Sequence, residues 1–213
     1  MNLSTATTWT YVLGFTAQGL FSARMLIQWV LSEKSKKVVS PTIYWQLSIL
    51  ASFLFFIYGW LRNDFAIILG QIFSYYIYIW NLDNKGFWKK MHVLLRTVFL
   101  LTPAIAITLI LYQGDESVAK LFREMPTLLL IYGSLGQIIF TLRFIYQWWY
   151  SKSRAESSLP TFFWILSLLG SIIIVSYGVF RMDFVLMLGH CGGLIIYSRN
   201  LYLCRISPKS PSI

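Results

Sequence analysis

Two arginines inside long apolar segments are the residues of this sequence best suited to bind a charged ligand. Arg24 stands in the stretch RMLIQW and Arg143 in RFIYQW, and in each stretch a glutamine follows four residues later. That spacing puts Gln28 and Gln147 one helical turn away, on the same helix face as their arginines. A guanidinium presents a planar fork of N–H donors that fits a phosphate group. The two stretches together predict a site that holds one anionic group.

Both residue types also have an interpretation without a ligand. Arg24 lies eight residues before Ser32, and Arg143 eight before Ser151, which is a depth of about 12 Å in a helix. A long arginine can snorkel toward the membrane surface. Its reach is about half of that depth, so we expect buried guanidinium groups with a functional or pairing role. The glutamines could equally hydrogen-bond across helices.

Aromatic and amide residues extend the predicted site. Trp29 and Trp148 directly follow the two glutamines. An interfacial aromatic belt explains them without a ligand, and stacking on a sugar ring is the alternative. Asn81 and Asn200 end the third apolar segment of each half of the chain. We expect them either to cap a helix or to contact the ligand.

Differences between the two halves add two further candidates. His190 stands where the first half has Gln71, and Arg199 where it has Trp80. Nearby, IFSYY at 72–76 becomes CGGLI at 191–195, which opens space in the second half. A site for a long, asymmetric lipid would need such differences, and drift after duplication also explains them. The predicted substrate-binding residues are Arg24, Gln28, Trp29, Asn81, Arg143, Gln147, Trp148, His190, Arg199 and Asn200.

The composition indicates that membrane helices position these residues. Of the 213 residues, 57% are hydrophobic and only 12% are charged, about half the charged fraction of a soluble domain. The net charge of +10 would suggest nucleic acid in a soluble chain. Here the basic residues gather between apolar segments, which fits an anionic membrane surface and argues against a nucleic-acid partner.

Seven apolar segments are long enough to be predicted as membrane spans. They cover residues 10–31, 42–61, 65–82, 93–112, 127–150, 161–180 and 184–203. One set of loops and tails carries ten lysines and arginines and the other set carries four. The positive-inside rule therefore puts the N-terminus outside and the C-terminus in the cytoplasm.

The connecting segments carry local predictions of their own. Arg62 with Asp64, and Arg181 with Asp183, mark two tight turns where a local ion pair is expected. Pro41 and its counterpart Pro160 are expected in the first turn of a helix, with Ser40 as an N-cap. The basic, aromatic segment 83–92 is expected to lie in the interface against anionic lipid.

An internal repeat defines the predicted architecture. Shifted by 119 residues, the chain aligns with itself without a gap, and polar residues such as Arg24, Gln28 and Asp64 recur in register. Each copy contains three predicted spans, and the fourth span turns the chain so that both copies face the same way. This all-α 3+1+3 plan with parallel repeats is shared by the SWEET sugar carriers, whose binding site lies between the copies. The predicted parts are the repeats 1–82 and 127–203, the linking region 83–126 and the tail 204–213.

The pattern RxxxQWxxS…PxxxW…YG…RxDFxxxLG…YxxNL, present in both halves, resembles the lipid-A-disaccharide-synthase N-terminal-type membrane domain. That three-helix module is related to the PQ-loop and SWEET families. The resemblance implies a bacterial inner-membrane protein associated with lipid A or with polyprenyl-phosphate-linked sugars. The sequence has no Pro-Gln dipeptide, the hallmark of the PQ-loop relatives, so their hinge mechanism does not carry over.

Transport of an anionic lipid is the function these features favour. The sequence contains no Ser/His/Asp arrangement, HExxH motif or phosphate-cradling glycine loop, so we expect no enzyme activity, metal or cofactor. The leading hypothesis is a transporter or flippase for a polyprenyl-phosphate-linked sugar or a lipid A-related intermediate. The alternatives are a non-transporting partner that presents lipid to a glycosyltransferase, and a SWEET-like carrier of small sugars.

Overall fold

The computed structural model describes residues 3–62, 65–112, 126–154 and 156–206, and its regular elements are helices. The helices are α1 Leu3–Ser35, α2 Thr42–Leu61, α3 Phe65–Asn84, α4 Val93–Tyr112, α5 Thr127–Ser153, α6 Thr161–Phe180 and α7 Phe184–Ile206, with a short 3-10 turn at Trp88–Lys90. Each predicted apolar segment is therefore helical. The first helix extends beyond its apolar segment at both ends, because helix-compatible polar residues flank it.

Three of the described helices are long and apolar enough to cross a membrane, judged by length and composition: α2, α5 and α6. A shorter apolar stretch, Val93–Ile105, lies in α4. An all-helical membrane protein is therefore supported, and the number and direction of its spans stay predictions.

The helices pack as two groups of three that touch along two seams. In the first group α2 packs against α1 and α3, and in the second α6 packs against α5 and α7. The groups meet where α3 packs on α5 and where α1 packs on α7; we call these contacts the α3/α5 seam and the α1/α7 seam. Helix α4 lies beside α2 and α3, with the Phe99 ring against the Phe53 ring.

Large aromatic side chains fill the space between the two groups. Trp45 and Trp164, at matching positions of the two copies, are both fully buried in one cluster, and the Phe144 ring packs edge-on against Trp45. Close approach of helices within each copy depends on glycine. A Cβ atom at Gly133 would lie 2.5 Å from the Tyr177 ring, and one at Gly14 would lie 2.7 Å from the matching Tyr58 ring.

The two prolines stand just before their helices and not in the first turn. Pro41 and Pro160 have extended backbone angles, and α2 and α6 begin at the following threonines. The prediction of Ser40 as an N-cap is wrong for the same reason, since the position belongs to Pro41. Ser40 Oγ instead contacts Ser157 Oγ at 3.1 Å and accepts a hydrogen bond from Trp45 Nε1.

The segment after α3 folds back on the protein through a glycine. Gly86 has a left-handed backbone with φ of 67°, and the Phe87 N–H donates to the Leu82 carbonyl, as in a Schellman helix end. The turn carries Trp88 into the aromatic cluster, where it is buried, while Lys89 and Lys90 stay exposed. Trp88 therefore packs against the protein, and the interfacial position of this segment stays a prediction.

Candidate functional site

A cavity of about 180 Å³ lies between the two groups of helices. Its walls come from both copies, and the residues that line it include Arg24 and Arg143. The other large polar side chains in the wall are Gln18, Gln71, Gln137 and His190. Of the ten residues in the predicted binding set, the two arginines and His190 are the ones that reach this cavity.

Both arginines are buried and are held by matching serines. Arg24 and Arg143 are 3% and 1% exposed. Arg24 Nη1 donates to Ser48 Oγ at 2.5 Å, and Arg143 Nη1 donates to Ser167 Oγ at 3.2 Å. Each serine donates its own proton to the carbonyl four residues earlier, which leaves its oxygen free to accept. The guanidinium groups do not reach the protein surface, so the snorkelling alternative is wrong.

Aromatic rings surround the two guanidinium groups and bring them together. Arg24 Cζ lies 4.5 Å from the centre of the Phe21 ring, and Arg143 Cζ lies 3.4 Å from that of Phe140. The Phe144 ring serves both, at 5.7 Å from Arg24 Cζ and 4.4 Å from Arg143 Cζ. The two cationic carbons, one from each copy, therefore lie near the same ring.

Neither cation is neutralised by a carboxylate that the structure describes. The ion pairs among the described residues join other side chains, and Nε of both Arg24 and Arg143 is buried without a hydrogen-bond partner there. Ring faces and a serine hydroxyl stabilise a cation only partly. Burying a charge without a counterion is costly. The arrangement is therefore electrostatically suited to an anion that enters the cavity.

Two glutamines outside the predicted binding set complete the cavity wall. Gln18 of the first copy packs against Gly189 of the second, and Gln137 packs against Gly70 of the first. A Cβ at Gly70 would lie 2.5 Å from Gln137 Oε1, so a larger residue there would displace the amide. The signal in the sequence was the recurrence of Gln18 as Gln137 and of Gly70 as Gly189 in register.

The exchange of Gln71 for His190 keeps one hydrogen bond. Ser52 Oγ donates to Gln71 Oε1 at 2.7 Å, and Ser171 Oγ lies 3.0 Å from His190 Nδ1 at the matching place. The second copy thus presents an imidazole, packed 4.7 Å from the Phe140 ring centre, where the first presents an amide. Among the described residues, no three His, Cys, Asp or Glu side chains lie close enough to hold a metal ion together.

Four predicted residues pair with one another across the seams, at what we call the amide end of the cavity. Gln28 Nε2 donates to Asn200 Oδ1 at 3.0 Å, and Asn200 Nδ2 donates back to Gln28 Oε1 at 3.2 Å. Gln147 and Asn81 make the same reciprocal pair at 3.0 and 3.1 Å. All four side chains are fully buried. Capping by the asparagines is ruled out, because α3 and α7 continue past them.

A double-mutant cycle should detect the coupling within one amide pair. Gln28→Leu and Asn200→Leu are each expected to destabilise the protein, and the two losses together should exceed the loss in the double variant by about 1 kcal/mol, the usual size of a buried interhelical hydrogen bond. Denaturant unfolding in detergent, followed by circular dichroism, measures all three variants. Strictly additive losses would contradict a direct bond across the α1/α7 seam.

The remaining predicted residues lie outside the cavity. Arg199 is 42% exposed in its side chain and forms an ion pair with Glu33, with Nε 2.6 Å from Oε1. Trp29 Nε1 donates to the same carboxylate at 2.9 Å. Hydrogen bonds from Arg199 and then from Trp29 lower the pKa of Glu33. Arg199 is therefore not a third cation of the cavity. Trp148 packs edge-on against Trp80 at the other seam.

Opposite the amide end, Asp183 joins the two copies. Its carboxylate is fully buried and accepts hydrogen bonds from the backbone N–H groups of Val185 and Leu186 and from Tyr58 Oη. Arg62 Nη2 lies 3.6 Å from Asp183 Oδ2. Asp183 thus pairs with an arginine of the other copy, which corrects the prediction of a local pair within its own turn. Asp64, the matching acid, lies outside the described residues.

Fold and cavity together define an all-helical membrane protein with a cationic cavity between two similar halves. The chain belongs to the family described as Lipid A Biosynthesis N-terminal domain, which matches it twice, at residues 13–83 and 132–202. The resemblance seen in both halves of the sequence is therefore confirmed.

Curated relatives of this chain are longer enzymes. The lipid-A-disaccharide synthase of Chlamydia muridarum is 31% identical over 207 residues, covering 92% of this chain and 34% of that protein. The Chlamydia pneumoniae synthase is 30% identical over 200 residues, covering 91% of this chain and 33% of that protein. The chain thus spans about a third of the length of these relatives. No solved structure gives a significant match to it.

Proposed function

We propose that this protein moves an anionic lipid across a bacterial inner membrane, as a transporter or flippase for a polyprenyl-phosphate-linked sugar or a lipid A-related intermediate. The observation that carries the proposal is the pair of buried guanidinium groups, Arg24 and Arg143, which both lie near the Phe144 ring and have no carboxylate partner among the described residues. A phosphate headgroup would supply the missing negative charge and would accept from the free Nε donors.

The proposed protein has seven membrane spans in a 3+1+3 arrangement of parallel repeats, related to the PQ-loop and SWEET carriers. Its N-terminus is outside and its C-terminus cytoplasmic. The moving units are the repeats 1–82 and 127–203. The described contacts between the two units include the two seams and smaller contacts such as Tyr58 with Asp183, and a carrier needs such an interface to rock about a central site.

Polar contacts between the two copies flank the cavity on both sides along the helices. The amide pairs Gln28–Asn200 and Gln147–Asn81 lie at one end, and the Asp183 contact with Arg62 lies at the other. In our proposal these contacts open alternately. When the amide pairs separate, their four side chains meet the headgroup, and Trp29, Trp148 and Arg199 contact it near the membrane surface.

A flux assay with the purified protein tests this function. We expect the protein in proteoliposomes to move a fluorescent undecaprenyl phosphate between the two leaflets. Dithionite bleaches the dye in the outer leaflet at once, so the rate at which the remaining fluorescence is lost measures this movement. A fluorescent phosphatidylcholine serves as the control, because its headgroup carries no net charge and should not be accelerated. Equal rates for undecaprenyl phosphate with and without protein would contradict the proposal.

A second candidate function rests on the relatives. They are lipid-A-disaccharide synthases in which this chain matches about a third of the length, so the matched region is joined there to the rest of an enzyme. This chain would then hold a lipid substrate for a glycosyltransferase without moving it. Stoichiometric co-purification with such an enzyme, together with absent flux in liposomes, would favour this function over transport.

A further inference from the structure

The two seams of the cavity differ in the size of the residues that build them. Where α3 of the first copy has Phe73 and Ser74, α7 of the second has Gly192 and Gly193. A Cβ atom placed at Gly192 would meet nothing within 4 Å, which means that open space lies beside this residue. Both glycines line the cavity.

The α3/α5 seam is closed by small polar side chains. Ser74 and Thr141 both line the cavity there and are only 5% and 3% exposed. Ser74 Oγ donates to the Gly70 carbonyl at 2.9 Å, and Gln137 lies directly against Gly70. A hydrocarbon chain could not pass this seam without displacing buried hydrogen-bonded groups.

The α1/α7 seam lets the same cavity reach the surface. Ser22, the counterpart of buried Thr141, is exposed and lines the cavity, and Leu26 lines it while 48% exposed. Across the seam Gly192 is exposed as well. The surface around the opening is apolar, with Leu188 and Ile195 more than half exposed. Such a surface suits lipid chains, which need no hydrogen bonds.

We propose that the opening between Ser22 and Leu26 on α1 and Gly192 on α7 is the lateral entrance for the hydrocarbon chain of a lipid phosphate whose headgroup lies at Arg24 and Arg143. This inference rests on the proposed function and specifies its substrate as a lipid that stays partly in the bilayer. The position of the headgroup rests on the two arginines, whose Nε atoms are buried and unpaired among the described residues. A water-soluble sugar would not need an opening toward lipid.

The experiment narrows the opening and compares a long with a short ligand. Gly192→Leu in the full chain adds a side chain to open space, so the fold should be retained. We expect it to weaken binding of undecaprenyl phosphate at least about tenfold, or about 1.4 kcal/mol, in isothermal titration calorimetry. Binding of isopentenyl phosphate, whose chain is too short to occupy the opening, should change less than about twofold. Ser22→Leu narrows the opening from α1 and should have the same effect if Gly192→Leu fails to fold.

Gly19→Leu is the matched control. Gly19 is also an exposed glycine of a long helix with nothing within 4 Å of a Cβ atom, and it does not line the cavity. Its substitution should change neither affinity. Undiminished binding of undecaprenyl phosphate by both Gly192→Leu and Ser22→Leu would overturn the entrance while leaving the proposed function intact.

Two further outcomes separate the inference from the proposed function. If the unmodified protein binds neither phosphate, the proposed function fails and the entrance fails with it. A diacylated glucosamine phosphate, titrated in parallel, distinguishes the two sources of the chain. Weakening of either lipid by Gly192→Leu supports the entrance, and the lipid that is affected identifies the type of chain that occupies it.

Discussion

Replacing Arg24 and Arg143 together with glutamine is expected to lower the affinity for a lipid phosphate at least about 100-fold. A hydrogen bond to a charged group contributes about 1.5–3 kcal/mol, so losing one such bond from each arginine corresponds to a change of this size. Fluorescence anisotropy of labelled undecaprenyl phosphate, measured with purified protein in detergent, reports the affinity. Leaflet exchange in proteoliposomes should fall in parallel.

The free energy of unfolding of this double variant distinguishes two roles of the arginines, which are to bind a ligand or to hold the two copies together. The buried guanidinium groups have no carboxylate partner among the described residues, so removing their charge relieves a desolvation cost that offsets the lost serine and ring contacts. We expect the free energy of unfolding of the double variant to stay within about 1 kcal/mol of the original value. If the arginines only brace the bundles, stability should fall and the affinity of the folded fraction should not.

Lys34→Gln together with Lys37→Gln is the matched control for charge. Both lysines are exposed after the apolar part of α1, and the pair removes the same two positive charges from the protein. The affinity of this control should change only slightly, because exposed charges are screened by salt. An equal loss in both double variants would mean that net charge, and not the cavity, attracts the lipid.

Local and periodic features of the fold were predictable from the sequence. Runs of about 20 apolar residues can hardly fold otherwise in lipid, and every predicted segment is helical. The burial of Arg24 and Arg143 was expected from their distance to the end of the apolar segment, and their equivalence followed from the repeat. Because both copies fold alike, the serine contacts recur at Ser48 and Ser167.

Contacts between the copies were not predictable in the same way. Gln28 bonds to Asn200, 172 positions away, and this depends on how α1 docks on α7. Counting along the sequence predicts that both residues lie near the same membrane surface. It does not show that they hydrogen-bond to each other. Arg199 was predicted to bind the ligand because it replaces Trp80 of the first copy, but it does not line the cavity and bonds to Glu33 on α1 instead.

The recurrence of residue pairs in the repeat indicated contacts between the copies that residue type alone did not indicate. Gln18 recurs as Gln137 and Gly70 as Gly189, and each glutamine packs on the glycine of the other copy. Each of these glycines must remain small because the side-chain amide of a glutamine from the other copy occupies the adjacent space. In the sequence alone, such a glycine cannot be distinguished from any other helix glycine. Recurrence of both members of a pair is therefore the more useful indicator of an inter-repeat contact.

Asp183→Ala is expected to reduce the free energy of unfolding by about 3–5 kcal/mol, the usual effect of breaking a buried ion pair. The variant leaves two backbone N–H groups at the start of α7 and Tyr58 Oη without their acceptor, and it leaves Arg62 without this carboxylate. Denaturant unfolding in mixed micelles, followed by circular dichroism, measures the loss. Asp83→Ala provides the control, because Asp83 is exposed, and it should shift stability by no more than about 0.5 kcal/mol.

Asp183→Asn separates the charge of this residue from its hydrogen bonds. The amide oxygen can still accept from the N–H groups of α7, so we expect a smaller loss than with alanine. A carrier must break the Arg62–Asp183 contact each time that end opens, so weakening the contact should raise the rate of lipid exchange if opening at this end limits it. Equal stability of Asp183→Ala and Asp83→Ala would contradict the contact itself. A destabilised Asp183→Asn variant with unchanged exchange would make the contact a permanent link between the copies, and the opening movement would then have to occur at the amide end alone.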